Sequence, residues 1–294
     1  MSLWSTIADV VARERGVWLE VDARQRVGGG SISPAYRVPA GDADLFVKTG
    51  SVEESNMFAA EAAALELLAQ PGVIRVPQPI GQGVQEEGAF LVMEYIPMGR
   101  PGPNGERLLG EGLARIHEVT RSDYGWDRDN TIGSTPQPNR RDPDWVRFFA
   151  QQRLGVQLDL VASWGGQHSL VQAGRRLQQR LGAFFSDYTP SASLLHGDLW
   201  GGNAAYDRQG RPVIFDPATY FGDRETDLAM TELFGGFGRD FYAGYNAVWP
   251  LDPGYPTRRE LYQLYHVLNH FNIFGGMYAA SAKRLIDRLL ASAG

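Results

Sequence analysis

The stretch that most constrains this chain runs from Ser193 to Ala218, SLLHGDLWGGNAAYDRQGRPVIFDPA. Asp198 is followed five residues later by Asn203, and Asp216 closes the stretch after two short apolar segments that flank AspArgGlnGly. Those segments, AlaAlaTyr and ValIlePhe, read as two short strands around a glycine-containing turn. The spacing is compatible with a cation site beside a base, without requiring one. A hard divalent cation takes oxygen ligands, and Asn203 and Asp216 stand at the ends of separate loops from which they can converge on one. Asp198 stays close enough to act as base toward a hydroxyl nucleophile. Taken singly, each of the three is an ordinary loop cap. Taken as a set, with the hairpin between them, they form a long composite pattern.

The residues before this stretch divide by pattern. Leu3, Ile7, Val10 and Val11 share one helical stripe over 3–15. From Val17 the alternation in VWLEV predicts a strand, RQRV leads into Gly28-Gly29-Gly30-Ser31, and AYRV and LFVK follow as strands about a ProAlaGlyAsp turn. Glycines between strands let backbone N–H groups approach phosphates, because no Cβ intervenes; a plain hairpin turn would read the same way. Lys48 ends the LFVK strand, where an edge lysine in solvent is the ordinary alternative. Residues 53–70 form an alanine-rich helix stopped by Pro71-Gly72, with Glu61 at its middle and Glu53, Glu54 and Glu66 read as solvated. A hairpin over 81–96 ends in AFLVMEYI, and the Pro/Gly-rich residues 97–105 read as a linker. This places one boundary, between 1–96 and 97–294. Beyond it helices are expected at 106–118, 142–155, 167–185, 224–234, 239–248, 257–274 and 277–290, with a polar loop at 123–139.

Composition narrows the partners. The net charge of −6 over 294 residues gives no basic field for nucleic acid or an anionic membrane. There is no cysteine, which excludes disulfides, including a disulfide-linked dimer, and thiolate chemistry, and agrees with a reducing cytoplasm. The first ten residues lack the basic start and apolar run of a signal peptide, and no run approaches the ~18 apolar residues of a membrane span.

HGDLWGGN followed by VIFDPATYFGDRETDLAMTELFGGF resembles the fructosamine (ketosamine) kinase family, a branch of the protein-kinase-like and aminoglycoside-phosphotransferase-like group. VGGGSISPAYRV, LFVKTG, MFAAEAAALELL, FLVMEYI, NTIGSTPQPN and LYQLYHVLNHFNIFGGMY resemble family blocks in order, so that the likeness covers nearly the whole chain. It implies an α+β, protein-kinase-like two-lobe fold: a small antiparallel sheet with one long helix, then a larger helical lobe, with nucleotide in the cleft. It implies ATP and Mg²⁺, with Asp198 and Lys48 catalytic and Asn203 and Asp216 on the metal. Gly28, Gly29, Gly30, Ser31, Lys48 and Glu61 would serve the phosphates, Glu61 by pairing with Lys48. Backbone groups around Met93, Glu94, Tyr95 and Ile96 would bond the adenine. The family's glycine loop carries Asn where Ser33 stands here. The implied acceptor is a ketosamine, free or protein-bound, phosphorylated on its 3-hydroxyl; the phosphate then leaves and the amine is freed.

Several residues carry a second reading. His196 is expected to prop the loop around Asp198 and His117 to pack at a helix end. Trp200 is expected as a flat wall for the substrate, with burial in the core as its alternative. Asp227 is expected to bond loop N–H groups. His266 and His270, four apart in a helix, have the spacing of a zinc pair, but no third ligand is evident and packing explains them. Two other functions fit the polar residues: a kinase for an aminoglycoside, choline or homoserine, and a nucleotide-binding protein without catalysis.

Overall fold

The computed structural model describes residues 2–28 and 33–293. The chain divides into two compact units, Met1–Gly105 with Ala205–Pro217, and Glu106–Ala204 with Ala218–Gly294.

The first unit opens with α1 (Leu3–Arg15), capped by the Ser2 side chain and ended by left-handed Gly16 at φ 68°. Strands β1 (Gln25–Val27), β2 (Ala35–Ala40), β3 (Ala43–Gly50), β4 (Pro79–Gln85) and β5 (Gly88–Glu94) form an antiparallel sheet in the order β1-β2-β3-β5-β4. Helix α2 (Ser55–Ala69) lies between β3 and β4 in sequence. Both α1 and α2 pack on β5, which is buried at every residue from Gly88 to Met93. Ile7, Val10 and Val11 of α1 join Val38, Val47, Phe90 and Val92 in one core cluster. The segment Ala204–Tyr206 pairs with Pro212–Ile214 as a hairpin, the one foreseen between Asn203 and Asp216.

Two expectations are corrected here. The strand from Val17 does not form: Leu19 makes a single bridge to Ala40, and Val21–Ala23 is a 3₁₀ turn. Val17, Leu19 and Val21 do face the core, as their alternation implies. Alternation reports which way side chains point; backbone pairing needs a neighbour along the whole segment. Glu54 is not a solvated helix glutamate. It completes a capping box with Ser51, accepting the Ser51 N–H at 2.6 Å, and also accepts the Ser33 hydroxyl at 2.7 Å.

The second unit is mainly helical: α3 (Gly105–His117), α4 (Trp145–Phe149), α5 (Val156–Ser163), α6 (His168–Gln179), α7 (Glu225–Leu233), α8 (Arg239–Val248), α9 (Tyr255–Phe274) and α10 (Ala279–Ser292). The single helix foreseen at 142–155 is instead α4 running into a π-helical turn over Ala150–Gly155 and then α5. That turn carries Arg153, whose buried guanidinium lies 3.9 Å from the Tyr220 ring centre and donates to the Pro138 carbonyl at 2.7 Å. The polar loop at 123–139 holds a small hairpin, Asn130–Ile132 with Thr135–Gln137, and its Gln137 and Asn139 are buried. Those amides find partners: Gln137 accepts from Tyr265 Oη at 2.6 Å and donates to the Ala218 carbonyl at 3.1 Å. No helix among the described residues is long and apolar enough to cross a membrane.

Candidate active site

In the first unit, β3 delivers Lys48 toward α2, and its ammonium donates to Glu61 at 2.6 Å and to Asp216 at 2.7 Å. One cation therefore serves two carboxylates, one of them from 168 residues further along the chain. Burial pulls the Lys48 amine down, but the charges and hydrogen bonds of Glu61 and Asp216 outweigh it, and its pKa ends above the ordinary value. Glu61 is pushed up, by burial first and by the Asp216 charge in addition, against the pull of Lys48. Asp216 has φ 54°, the left-handed region that few non-glycine residues occupy. Held there by surrounding contacts, such a backbone aims one side chain at the expense of local strain.

The same unit contains a network that sequence reasoning missed. Arg75 donates to Glu94 at the end of β5 and to Asp207 in the hairpin turn, the latter at 3.1 Å. Asp207 is only 1% exposed and also accepts from the Arg211 side chain at 2.9 Å and from the backbone N–H groups of Gln209 and Arg211. Burial would raise this carboxyl; those donors together hold it down at about 2. The hairpin is tied further by Gly99 N–H to the Tyr206 carbonyl at 2.7 Å and Ile214 N–H to the Arg75 carbonyl at 3.1 Å. Glu94 thus spends its carboxylate on Arg75, and its N–H donates to the Gln78 carbonyl at 2.9 Å. Met93 and Ile96 are buried, and the Tyr95 ring lies 5.1 Å beneath the Arg37 guanidinium. Gly28 is exposed with open space where a side chain would be. Gly29, Gly30 and Ser31 lie outside the described residues.

In the second unit, the loop from His196 to Asn203 is shaped by one glycine and one aspartate. Gly197 has φ 85°, and a Cβ there would collide with the Ala218 carbonyl oxygen, so only glycine fits. Asp227, two residues into α7, accepts the His196 N–H at 2.7 Å and the Gly197 N–H at 2.8 Å. Its second oxygen also meets His117 Nε2 at 3.1 Å, and His117 Nδ1 meets Tyr245 Oη at 2.8 Å. Burial opposes charge on Asp227, yet these partners keep its carboxyl below the usual range. His117 is therefore more than packing: it seats the carboxylate that seats the loop. The Asp198 N–H donates to His196 Nδ1 at 3.3 Å, which fixes that nitrogen as an acceptor. Asn203 donates through Nδ2 to the Asp198 carbonyl at 2.9 Å and to the Asp198 carboxylate at 3.2 Å. The loop thereby brings Asp198 and Asn203 side by side. Trp200 is 42% exposed, so core burial does not explain it.

The donor set fits the implied metal. Asn203 and Asp216 carry hard oxygen atoms of the kind Mg²⁺ takes, and no thiol or imidazole competes at either position. Among the described residues no group of three or more His, Asp or Glu gathers as a metal cage. His266 and His270 do not form a zinc pair: His270 Nδ1 meets the His266 carbonyl oxygen at 2.8 Å, and the His266 ring is buried. Burial brings His266 down to about 3.

Known proteins share this chain's sequence and fold. The family model for fructosamine kinase matches residues 3–292. A "Probable ketoamine kinase" of Synechocystis sp. is 43% identical, covering 98% of this chain and 97% of its own length. The chloroplastic protein-ribulosamine 3-kinase of Arabidopsis thaliana is 42% identical over 90% of this chain and 81% of its own. The crystal structure of a candidate fructosamine-3-kinase from Haemophilus somnus superposes with a TM-score of 0.88 at 30% identity, covering 98% of this chain and 97% of that one. The α+β kinase fold is therefore shared from end to end, and the chain belongs to the fructosamine kinase family.

Proposed function

We propose that the chain transfers the γ-phosphoryl group of ATP to the 3-hydroxyl of a ketosamine, and so begins removal of the sugar from a glycated amine. The relatives' names, ketoamine kinase and protein-ribulosamine 3-kinase, support the acceptor class. The observation that carries the reading is Lys48 held at 2.6 Å and 2.7 Å between Glu61 and Asp216. A lysine fixed in this way presents a charge that need not be reorganised when negative charge builds on phosphate oxygens.

The roles divide as follows. Asp198 orients the sugar hydroxyl and takes its proton, and Asn203 keeps the Asp198 carboxylate in place. Lys48 contacts the nucleotide phosphates, with Glu61 holding its amine. Asn203 and Asp216 are the residues that would hold Mg²⁺, which when bound offsets phosphate charge. Gly28, Gly29, Gly30 and Ser31 would serve the phosphates, the backbone around Met93, Glu94, Tyr95 and Ile96 would take the adenine, and Trp200 would lie against the acceptor. Residues 1–96 serve the nucleotide and 97–294 serve catalysis and the acceptor. A cytoplasmic location agrees with a chain that has no cysteine.

The test is ATP consumption with Mg²⁺ over fructosyl-lysine, ribulosyl-lysine, an aminoglycoside, choline and homoserine. Turnover confined to ketosamines is the expected result; turnover only on another acceptor overturns the substrate class. Asp198→Asn is expected to lower kcat by roughly 10²–10⁴-fold while nucleotide still binds. Undiminished turnover would remove Asp198 from the base role.

A further inference from the structure

The last turn of α9 and the residues after it leave large apolar side chains in solvent. Phe274 is 60% exposed and Met277 79%, and Phe234, which ends α7, is 43% exposed. These side chains are not scattered. The Phe234 and His270 rings lie 4.7 Å apart, and His270 is 5.6 Å from Phe274 and 5.3 Å from Tyr278. Contiguous exposed aromatics of this kind mark a surface that meets something.

The cluster is continuous with the catalytic loop. Phe234 is followed by Gly235 and Gly236 at φ 73° and 103°, and their backbone reaches the loop at Gly201. A Cβ on Gly201 would lie 3.3 Å from both the Gly235 oxygen and the Gly236 Cα. Gly201 is the neighbour of Trp200 and stands three residues from Asp198. A further glycine, Gly202, lacks the Cβ that would run into the Trp200 ring. The backbone that follows Phe234 therefore touches the loop that carries Asp198 and Trp200.

We propose that Phe234, His270, Phe274 and Tyr278 form a shelf that receives the amine-bearing side of the acceptor, and that this shelf sets which glycated amines the enzyme accepts. The assignment rests on the ketosamine reading above. In a ketosamine the amine sits on C1, two carbons from the 3-hydroxyl, so a hydroxyl delivered to Asp198 sends the amine's carrier over the adjoining surface. That carrier begins with a secondary ammonium and continues, for lysine, as a chain of methylenes. Aromatic faces complement both parts, the cation through the ring quadrupole and the methylenes through apolar contact. His270 suits the role uncharged: burial lowers its pKa, and its Nδ1 is paired with the His266 carbonyl.

The experiment holds the sugar constant and grades the carrier, using the ketosamines of methylamine, lysine and a lysine-containing peptide. Phe274→Ala and Phe234→Ala are exposed truncations, and Phe274→Tyr restores a ring. The expected result is a fall in kcat/KM that grows along the series, to roughly 3- to 30-fold for the peptide. The KM for ATP stays constant and Phe274→Tyr recovers the loss. Equal losses on all three carriers, or none, overturn the shelf. So does a change from dimer to monomer in Phe274→Ala without carrier dependence, which would make the surface a contact between copies. Absence of wild-type turnover on every ketosamine is a different failure: it removes the substrate class itself.

Discussion

Asp227→Asn is the sharpest probe of how the loop that carries Asp198 is held, because it changes almost no volume. The native carboxylate accepts on both oxygens: Gly197 N–H at 2.8 Å on one, His196 N–H at 2.7 Å and His117 Nε2 at 3.1 Å on the other. His117, His196 and Asp227 are all buried, so water cannot readily replace a lost partner. An asparagine has one acceptor oxygen, and whichever way it turns, its NH₂ faces at least one N–H. Leaving a buried donor unpaired costs about 1–3 kcal/mol. That is the expected loss for Asp227→Asn at its best orientation, about 2–12 °C in Tm. Asp227→Ala strands all three donors and should cost at least about 3 kcal/mol. The loop that carries Asp198 slackens with the anchor, so kcat should fall in both variants while the KM for ATP changes less. The pH dependence has a defined sign. A carboxyl whose folded pKa is depressed contributes stability that is complete above its unfolded value, about 3.9, and is lost as pH falls through the folded one. The gap between wild type and Asp227→Asn should thus be constant from pH 6 to 8, taken as rough bounds of the neutral range, and close in acid. Thermal melts at several pH values with parallel kinetics supply the measurement. An Asp227→Asn protein with wild-type Tm and kcat would refute the anchoring argument.

Four further outcomes follow from the structure. Lys48→Met leaves Glu61 and Asp216 without their shared cation and should cost about 3–5 kcal/mol near neutrality; melts should show the deficit shrinking toward pH 5 as Glu61 takes up a proton, and a deficit independent of pH would contradict this. In the wild type the raised Lys48 pKa keeps its pairing complete below about 10.4, so no lysine titration should appear in the neutral pH profile. Arg75→Ala frees Glu94 and one side of Asp207, and should weaken nucleotide affinity more than kcat, measured by titration and steady-state kinetics; with Asp207 held at about 2, the effect should not vary between pH 5 and 9 in round figures. Trp200→Ala should raise the KM for ketosamine more than that for ATP, and equal effects on both would indicate packing.

Much was legible because it is local. The helices read at 3–15 and 239–248 appear as Leu3–Arg15 and Arg239–Val248, since a 3.6-residue stripe and its caps are written within a few turns of chain. The alternation in VWLEV was equally visible and still mispredicted a strand, because pairing depends on what lies alongside. Lys48, Asp198, Asn203 and Asp216 could be proposed as site residues through the family resemblance. Two ties were expected as well, Glu61 to Lys48 and Asp227 to the loop N–H groups, and both are present; the other long-range ties came only with tertiary structure. His117 reaches Asp227 across 110 residues and Arg75 reaches Asp207 across 132, and no pattern near either residue announces its partner. Glu54 looked like its neighbours Glu53 and Glu66 until the Ser51 cap and the Ser33 hydroxyl came within reach of it. Periodicity and turn chemistry are properties of neighbours along the chain, so sequence determined most of the elements and, through the family resemblance, the candidate groups; hydrogen bonds across more than a hundred residues exist only once the backbone has closed, so the fold decided the long-range ties that hold those groups.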